Sequence, residues 1–115
     1  MTNRLVRFDI SAVEPEIGAP APDRLIDGDP QSMTWTLEEQ PGGVCAGVWE
    51  STPGTWRVRY TEWEYCRILS GISIVTEDGG APFRVAAGDS FILRPGFEGI
   101  WEVVETTRKE YVIRL

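Results

Sequence analysis

Few residue types in this chain can do chemistry, and one absence constrains them all. None of the 115 residues is histidine. That removes the Ser-His-Asp triad, the Cys-His pair, the imidazole general base and the histidine-rich metal site. Carboxylates, phenols, two thiols and a single ammonium are left. Glu50, Glu62 and Glu64 could contribute to an all-oxygen cation site, but such sites take about six or more ligands. As isolated groups, Glu50 and Glu62 read as surface or rim acids. Tyr60 could serve as a general acid or hydrogen-bond donor, or simply pack with its hydroxyl satisfied. Cys66 could be a nucleophile only if Lys109 or an arginine lowered its pKa; otherwise it is an inert buried thiol. Ten of the eleven basic residues are arginine, so Lys109 is the sole lysine. Asp89, following Gly88, suits an Asx-type bond to backbone.

Short strands must position these groups. Met33 to Glu38, Val44 to Glu50 and Trp56 to Thr61 read as strands, with Gln40-Pro41-Gly42-Gly43 and Thr52-Pro53-Gly54 as turns. In the last of the three, Trp56, Val58 and Tyr60 alternate with Arg57 and Arg59, the period-2 pattern of a half-buried strand. Tyr65 to Leu69 and Ile72 to Thr76 follow, divided at Ser70-Gly71. A hairpin turn is expected at Glu77-Asp78-Gly79-Gly80. Pro82 to Val85, Ser90 to Leu93, Ile100 to Glu105 and Glu110 to Leu115 complete the set. No segment sustains a 3.6-residue apolar period. Many short strands with Gly/Pro turns predict an all-β antiparallel sandwich or barrel. Residues 1–34 are broken by Glu14-Pro15, Ala19-Pro20-Ala21-Pro22 and Asp27-Gly28-Asp29-Pro30, and read as an extended N-terminal arm of the same domain. A short strand at Leu5 to Ile10 is possible within it. Residues 35–115 form the barrel.

The charge balance narrows the partners. Eighteen acidic against eleven basic residues give a net charge of −7. Such a surface repels phosphate backbones and anionic membranes, so neither nucleic acid nor membrane is an expected partner. No run approaches the roughly 20 apolar residues that span a bilayer. The N-terminus reaches Asp9 before any apolar stretch, so no signal peptide is expected and the cytoplasm is the default. There, Cys45 and Cys66 are expected to be free thiols.

Several segments together resemble the cupin superfamily, whose fold is a small jelly-roll barrel, or double-stranded β-helix. Gly54 to Gly71, Gly88-Asp89 and Pro95-Gly96 match its two motifs. Gly47-Val48-Trp49-Glu50, Glu64-Tyr65-Cys66-Arg67-Ile68-Leu69-Ser70-Gly71, Gly96-Phe97-Glu98-Gly99-Ile100-Trp101 and Arg108-Lys109-Glu110-Tyr111 are similar to the small single-domain cupins related to ureidoglycine aminohydrolase and the ethanolamine-utilisation cupin. Metal-binding cupins use His-x-His, a glutamate and a third histidine. The resemblance puts those positions at Val58, Tyr60, Glu64 and Gly99. Only the glutamate survives, so no metal and no cofactor are expected. The resemblance also implies a homodimer. The outward row Arg57, Arg59 and Arg67 could pack in it, and the arm could cross to the partner.

If Val58, Tyr60 and Glu64 point inward, strand parity brings Trp56 and Cys66 to the same face. Gly99, Trp101 and Val103 share a face on a later strand. Lys109, Tyr111, Ile113 and Leu115 share one on the last. The sole lysine then heads an inward stripe. One reading sets its ammonium beside Glu64, supplying the positive charge a metal gives in related barrels. The other leaves Lys109 at the rim, its stem on apolar surface and its head in water. With the pair inside, Trp56, Tyr60, Glu64, Cys66, Trp101 and Lys109 would make a mostly apolar pocket for a small molecule. Three functions fit. The first is binding of a small polar metabolite inside the barrel without a His-ligated metal. The second is a metal-independent amidohydrolase- or isomerase-like enzyme, with Glu64 as acid/base and Lys109 or Tyr60 holding a developing anion. The third is a non-catalytic interaction partner.

Overall fold

The computed structural model describes residues 4–115; the reading of the N-terminal leader rests in part on Met1–Asn3, outside that range. Wherever bulky and polar residues alternate between turns, the chain is extended. Nine strands form: β1 Glu16–Gly18, β2 Leu25–Gly28, β3 Ser32–Glu39, β4 Val44–Ser51, β5 Gly54–Arg59, β6 Trp63–Glu77, β7 Phe83–Ala86, β8 Ser90–Leu93 and β9 Glu98–Arg114. All pairings are antiparallel. No α-helix occurs among the described residues, and no helix there is long and apolar enough to cross a membrane.

Two long strands organise the rest. The two runs expected on either side of Ser70-Gly71 are one strand, β6, and the last two expected strands are one strand, β9. They pair along most of their lengths, with register breaks between Ile68 and Ser73. Gly71 sits at that break with φ +87°, where a Cβ would run into the carbonyl oxygen of Thr106, so glycine is required for the bend. One half of β9 pairs with β4, the other with β5. The sheet therefore curls on itself around an inward face of Cys66, Ile68, Val75, Val85, Leu93, Trp101 and Val103. The expected all-β antiparallel barrel architecture is the one observed.

The N-terminal segment departs from the expectation. Leu5–Asp9 is not a strand; a short 3-10 turn, Ile10–Ala12, follows, capped by the Asp9 carboxylate on the Ser11 amide. Residues expected to form an extended arm of the same domain add strands to the chain's own barrel. β1 pairs with β3 at one end of the strand order, and β2 pairs with β5 at the other. The Ala19-Pro20-Ala21-Pro22 link thus crosses from one edge to the other. Two of the outer arginines also find partners within the chain: Arg57 meets Asp78 at 2.6 Å and Arg59 meets Glu98 at 3.9 Å. Asp89 takes its turn role, accepting from the Ala86 amide at 2.8 Å.

Candidate functional site

The interior is packed by the core cluster, and beside it the barrel holds a cavity of about 370 Å³. Strand register explains its walls. Trp56 on β5 lies opposite Trp101 on β9, and Trp49 on β4 lies opposite Lys109 further along β9. Glu64 on β6 lies opposite Ile113. With alternate residues facing in, these side chains converge. Trp56, Tyr60, Glu64, Trp101 and Lys109, all expected at a pocket, line this one.

Lys109 is inside. Its residue is 6% exposed and Glu64 is 5% exposed. The ammonium donates to Glu64 Oε2 at 2.8 Å, and its nitrogen lies 4.9 Å from the Trp49 ring centroid and 4.7 Å from that of Trp101. Two indole faces and a carboxylate therefore enclose it, an arrangement favourable to a desolvated cation. The rim position is not the one adopted. Burial works against the ammonium, but its charge interactions with Cys66, Glu64 and Tyr60 and its hydrogen bond to Glu64 outweigh that and raise its pKa. Lys109 stays protonated and does not serve as an amine nucleophile.

Cys66 departs from the expected lining. It is fully buried behind Glu64, and its thiol donates to Oε2 at 3.1 Å. Burial pushes it up to about 12, so it is an orienting donor rather than a thiolate. Glu64 is thus held at one oxygen by two donors. Its other oxygen, Oε1, accepts no hydrogen bond among the described residues and is not sealed off, and Glu64 lines the cavity. Burial also pushes Tyr60 up to about 12, which keeps its hydroxyl as a donor.

The walls are braced from behind. Thr107 donates its hydroxyl to the Glu105 carbonyl at 2.8 Å. The 2.7 Å contact between Ser73 and Thr107 must then be donated by Ser73, leaving Ser73 Oγ to accept from Trp101 Nε1 at 3.2 Å. Glu50 stays outside this system, paired with Arg108 at 2.9 Å, and Glu62 is exposed.

The sequence reading missed Trp49, Cys45, Ala19 and Pro20, which also line the cavity. Alternation in β4 does group Cys45, Trp49 and Ser51. The opposite face carries Ala46 and Val48, which are buried too, so parity alone does not reveal which face turns inward. Ala19 and Pro20 arrive by the crossing link, which no local pattern announces.

The metal position of related barrels does not fit these residues. Val58 offers no donor. A side chain at Gly99 would run into the Thr76 carbonyl oxygen. The glutamate that remains already receives an ammonium. No group of three or more His, Cys, Asp or Glu suited to a metal occurs among the described residues.

The sequence profile of the EutQ-like cupin domain matches residues 38–111. No protein of curated function matches the chain. Among solved structures, a protein of unknown function from Pseudomonas syringae is similar over 92% of this chain, with 25% identity and a TM-score of 0.81. This chain spans only 46% of that protein's length. The EutQ protein of Clostridium difficile is similar over 96% of this chain and 93% of its own, with 19% identity and a TM-score of 0.67. A putative ethanolamine utilization protein from Salmonella typhimurium is similar over 76% of this chain and 70% of its own, with 17% identity and a TM-score of 0.64.

Proposed function

We propose that this chain, which belongs to the EutQ-like cupin family, binds a small polar molecule inside its barrel without a histidine-bound metal. The observation that carries this reading is the cavity itself, with its three tryptophans and one ion pair. A concave, mostly apolar space with a few fixed polar groups is the usual form of a small-molecule site. Lys109 and Glu64 make a fixed ion pair in the wall, and Glu64 offers Oε1 to a donor on the ligand. The fold by itself does not choose an activity, so the reading rests on these side chains.

A thermal-shift screen of small acids, amides and sugars tests it. A ligand that binds only the folded state raises Tm. The expected result is a hit whose affinity both Glu64→Gln and Trp56→Ala change. A hit that survives Glu64→Gln and Trp56→Ala unchanged would place binding elsewhere and overturn the reading.

A metal-independent enzyme is the second reading, favoured by the free Glu64 oxygen. Because Tyr60, Cys66 and Lys109 all keep their protons at neutral pH, proton abstraction would fall to Glu64. Lys109 or Tyr60 would stabilise a developing anion. Turnover of a screening hit, lost in Glu64→Gln, separates enzyme from binder. We also propose a homodimer in solution; sedimentation of the chain as a monomer at high concentration would dismiss it.

A further inference from the structure

We infer that the cavity selects a ligand whose head group is uncharged, and that the Glu64–Lys109 pair sets this selection. The inference rests on the binding reading above and names its ligand class. Among the described residues that line the cavity only two are charged, and they neutralise each other across 2.8 Å. The other polar groups there, such as Ser32, Thr34, Tyr60 and Tyr111, are neutral hydroxyls. Taking a charge out of water is costly unless an opposite charge receives it. Here neither charge is free to do so. An anion approaching Lys109 meets Glu64 in contact with the same ammonium. A cation approaching Glu64 Oε1 meets the ammonium held on Oε2.

A neutral polar head escapes both penalties. Oε1 takes no hydrogen bond among the described residues, so it can accept one from an N–H or O–H of the ligand. The Tyr60 hydroxyl, which keeps its proton, can donate to a ligand carbonyl or hydroxyl oxygen. The matching group carries both a donor and an acceptor on an uncharged frame, as a carboxamide does. Its apolar remainder would lie against the indoles of Trp49 and Trp56, whose centroids are 6.2 Å apart.

Three probes sharing one ring test the claim: benzamide, benzoate and benzylamine, titrated against the full chain and followed by the tryptophan indole N–H resonances. Benzamide is expected to bind about tenfold or more tightly than either charged probe. Glu64→Gln leaves the ammonium uncompensated, so benzoate should gain about tenfold relative to benzamide. Lys109→Met leaves the carboxylate uncompensated, so benzylamine should gain instead. The double variant, neutral at both positions, should restore the benzamide preference. If a single variant does not fold, the ranking on the native chain and on the double variant decides. Benzoate or benzylamine binding the native chain as tightly as benzamide would overturn the inference while leaving the cavity as a site. An unchanged ranking in folded single variants would also overturn it. If no probe moves any indole resonance up to its solubility limit, the binding reading itself fails.

Discussion

Trp49 stands directly opposite Lys109 in the β4–β9 ladder, and the lysine nitrogen lies 4.9 Å from the centre of its indole ring. Trp101, earlier on β9 itself, covers the same ammonium at 4.7 Å. The two indoles meet edge to face, with centroids 5.8 Å apart. A charge that would be costly in an apolar interior is thus held by a carboxylate and two ring faces. The cavity inherits its shape and its polarity from that arrangement.

The coupling between Trp49 and Lys109 is measurable by a double-mutant cycle. Trp49→Leu and Lys109→Met, singly and together, are expected to give an interaction of about 0.5–2 kcal/mol in urea unfolding. A coupling near zero would mean that the ring only fills space.

Removing one partner of the ion pair should cost far more than removing both. Lys109→Met leaves Glu64 buried without its counter-charge, a loss of about 3–5 kcal/mol. Adding Glu64→Gln to that variant should recover most of the loss. Equal destabilisation by the single and double variants would contradict a buried pair.

Alkaline pH should weaken the fold. Burial pushes Cys66 and Tyr60 up to about 12 from ordinary values of 9.0 and 10.0, and Lys109 is raised above 10.5. In each case the folded chain keeps a proton that the unfolded chain releases earlier. That stabilisation is whole below the unfolded value and is lost as pH rises to the folded one. Stability is therefore expected to fall from about pH 9 upward, by up to about 1.4 kcal/mol per pH unit for each group inside its window. Cys66→Ala should make the fall above pH 9 shallower. A flat stability curve through this range would contradict the burial of these groups.

The two thiols should differ in reactivity. Cys45 is partly exposed at the cavity, whereas Cys66 is completely buried. A thiol reagent is expected to modify one cysteine in the native chain and both after unfolding, with Cys45→Ser abolishing the native reaction. Replacing Pro20, which lines the same cavity in the crossing link, with glycine should speed labelling of Cys45. Native labelling of both thiols would contradict the packing described.

The brace behind Trp101 offers a further check. Ser73→Ala leaves the buried Trp101 N–H unsatisfied and should cost about 1–3 kcal/mol. The cost should shrink in a Trp101→Phe background, where no N–H remains. An equal cost in both backgrounds would assign it to Ser73 packing alone.

Much of this was legible in the sequence because alternation reports burial directly. Trp56, Val58 and Tyr60 against Arg57 and Arg59 marked β5 and its faces, and the stripe beginning at Lys109 marked the inner face of β9. Leu115 ended that stripe wrongly, since pairing of β9 stops at Arg114 and the last side chain is exposed. Ser70-Gly71 reads as a boundary because a glycine at positive φ looks the same whether it ends a strand or bends one. β1 and β2 left no trace in the pattern. Their side chains are exposed on both faces, and only hydrogen bonds to distant edges make them strands. The link between them reached the cavity for the same long-range reason. Cys66 shared the correct face, yet parity does not report depth, and Glu64 lies between it and the open space.

The account turns on one ammonium, and the chain has only one lysine to observe. Nuclear magnetic resonance of protein labelled with 15N-lysine gives a single Nζ signal. Held against Glu64 between two indoles, its NH3+ protons should exchange slowly enough to be seen at neutral pH. Its Hε resonances should be moved upfield by the rings, and both features should vanish on unfolding. An Nζ signal lost to rapid exchange, with Hε shifts of a free lysine in the native state, would contradict it.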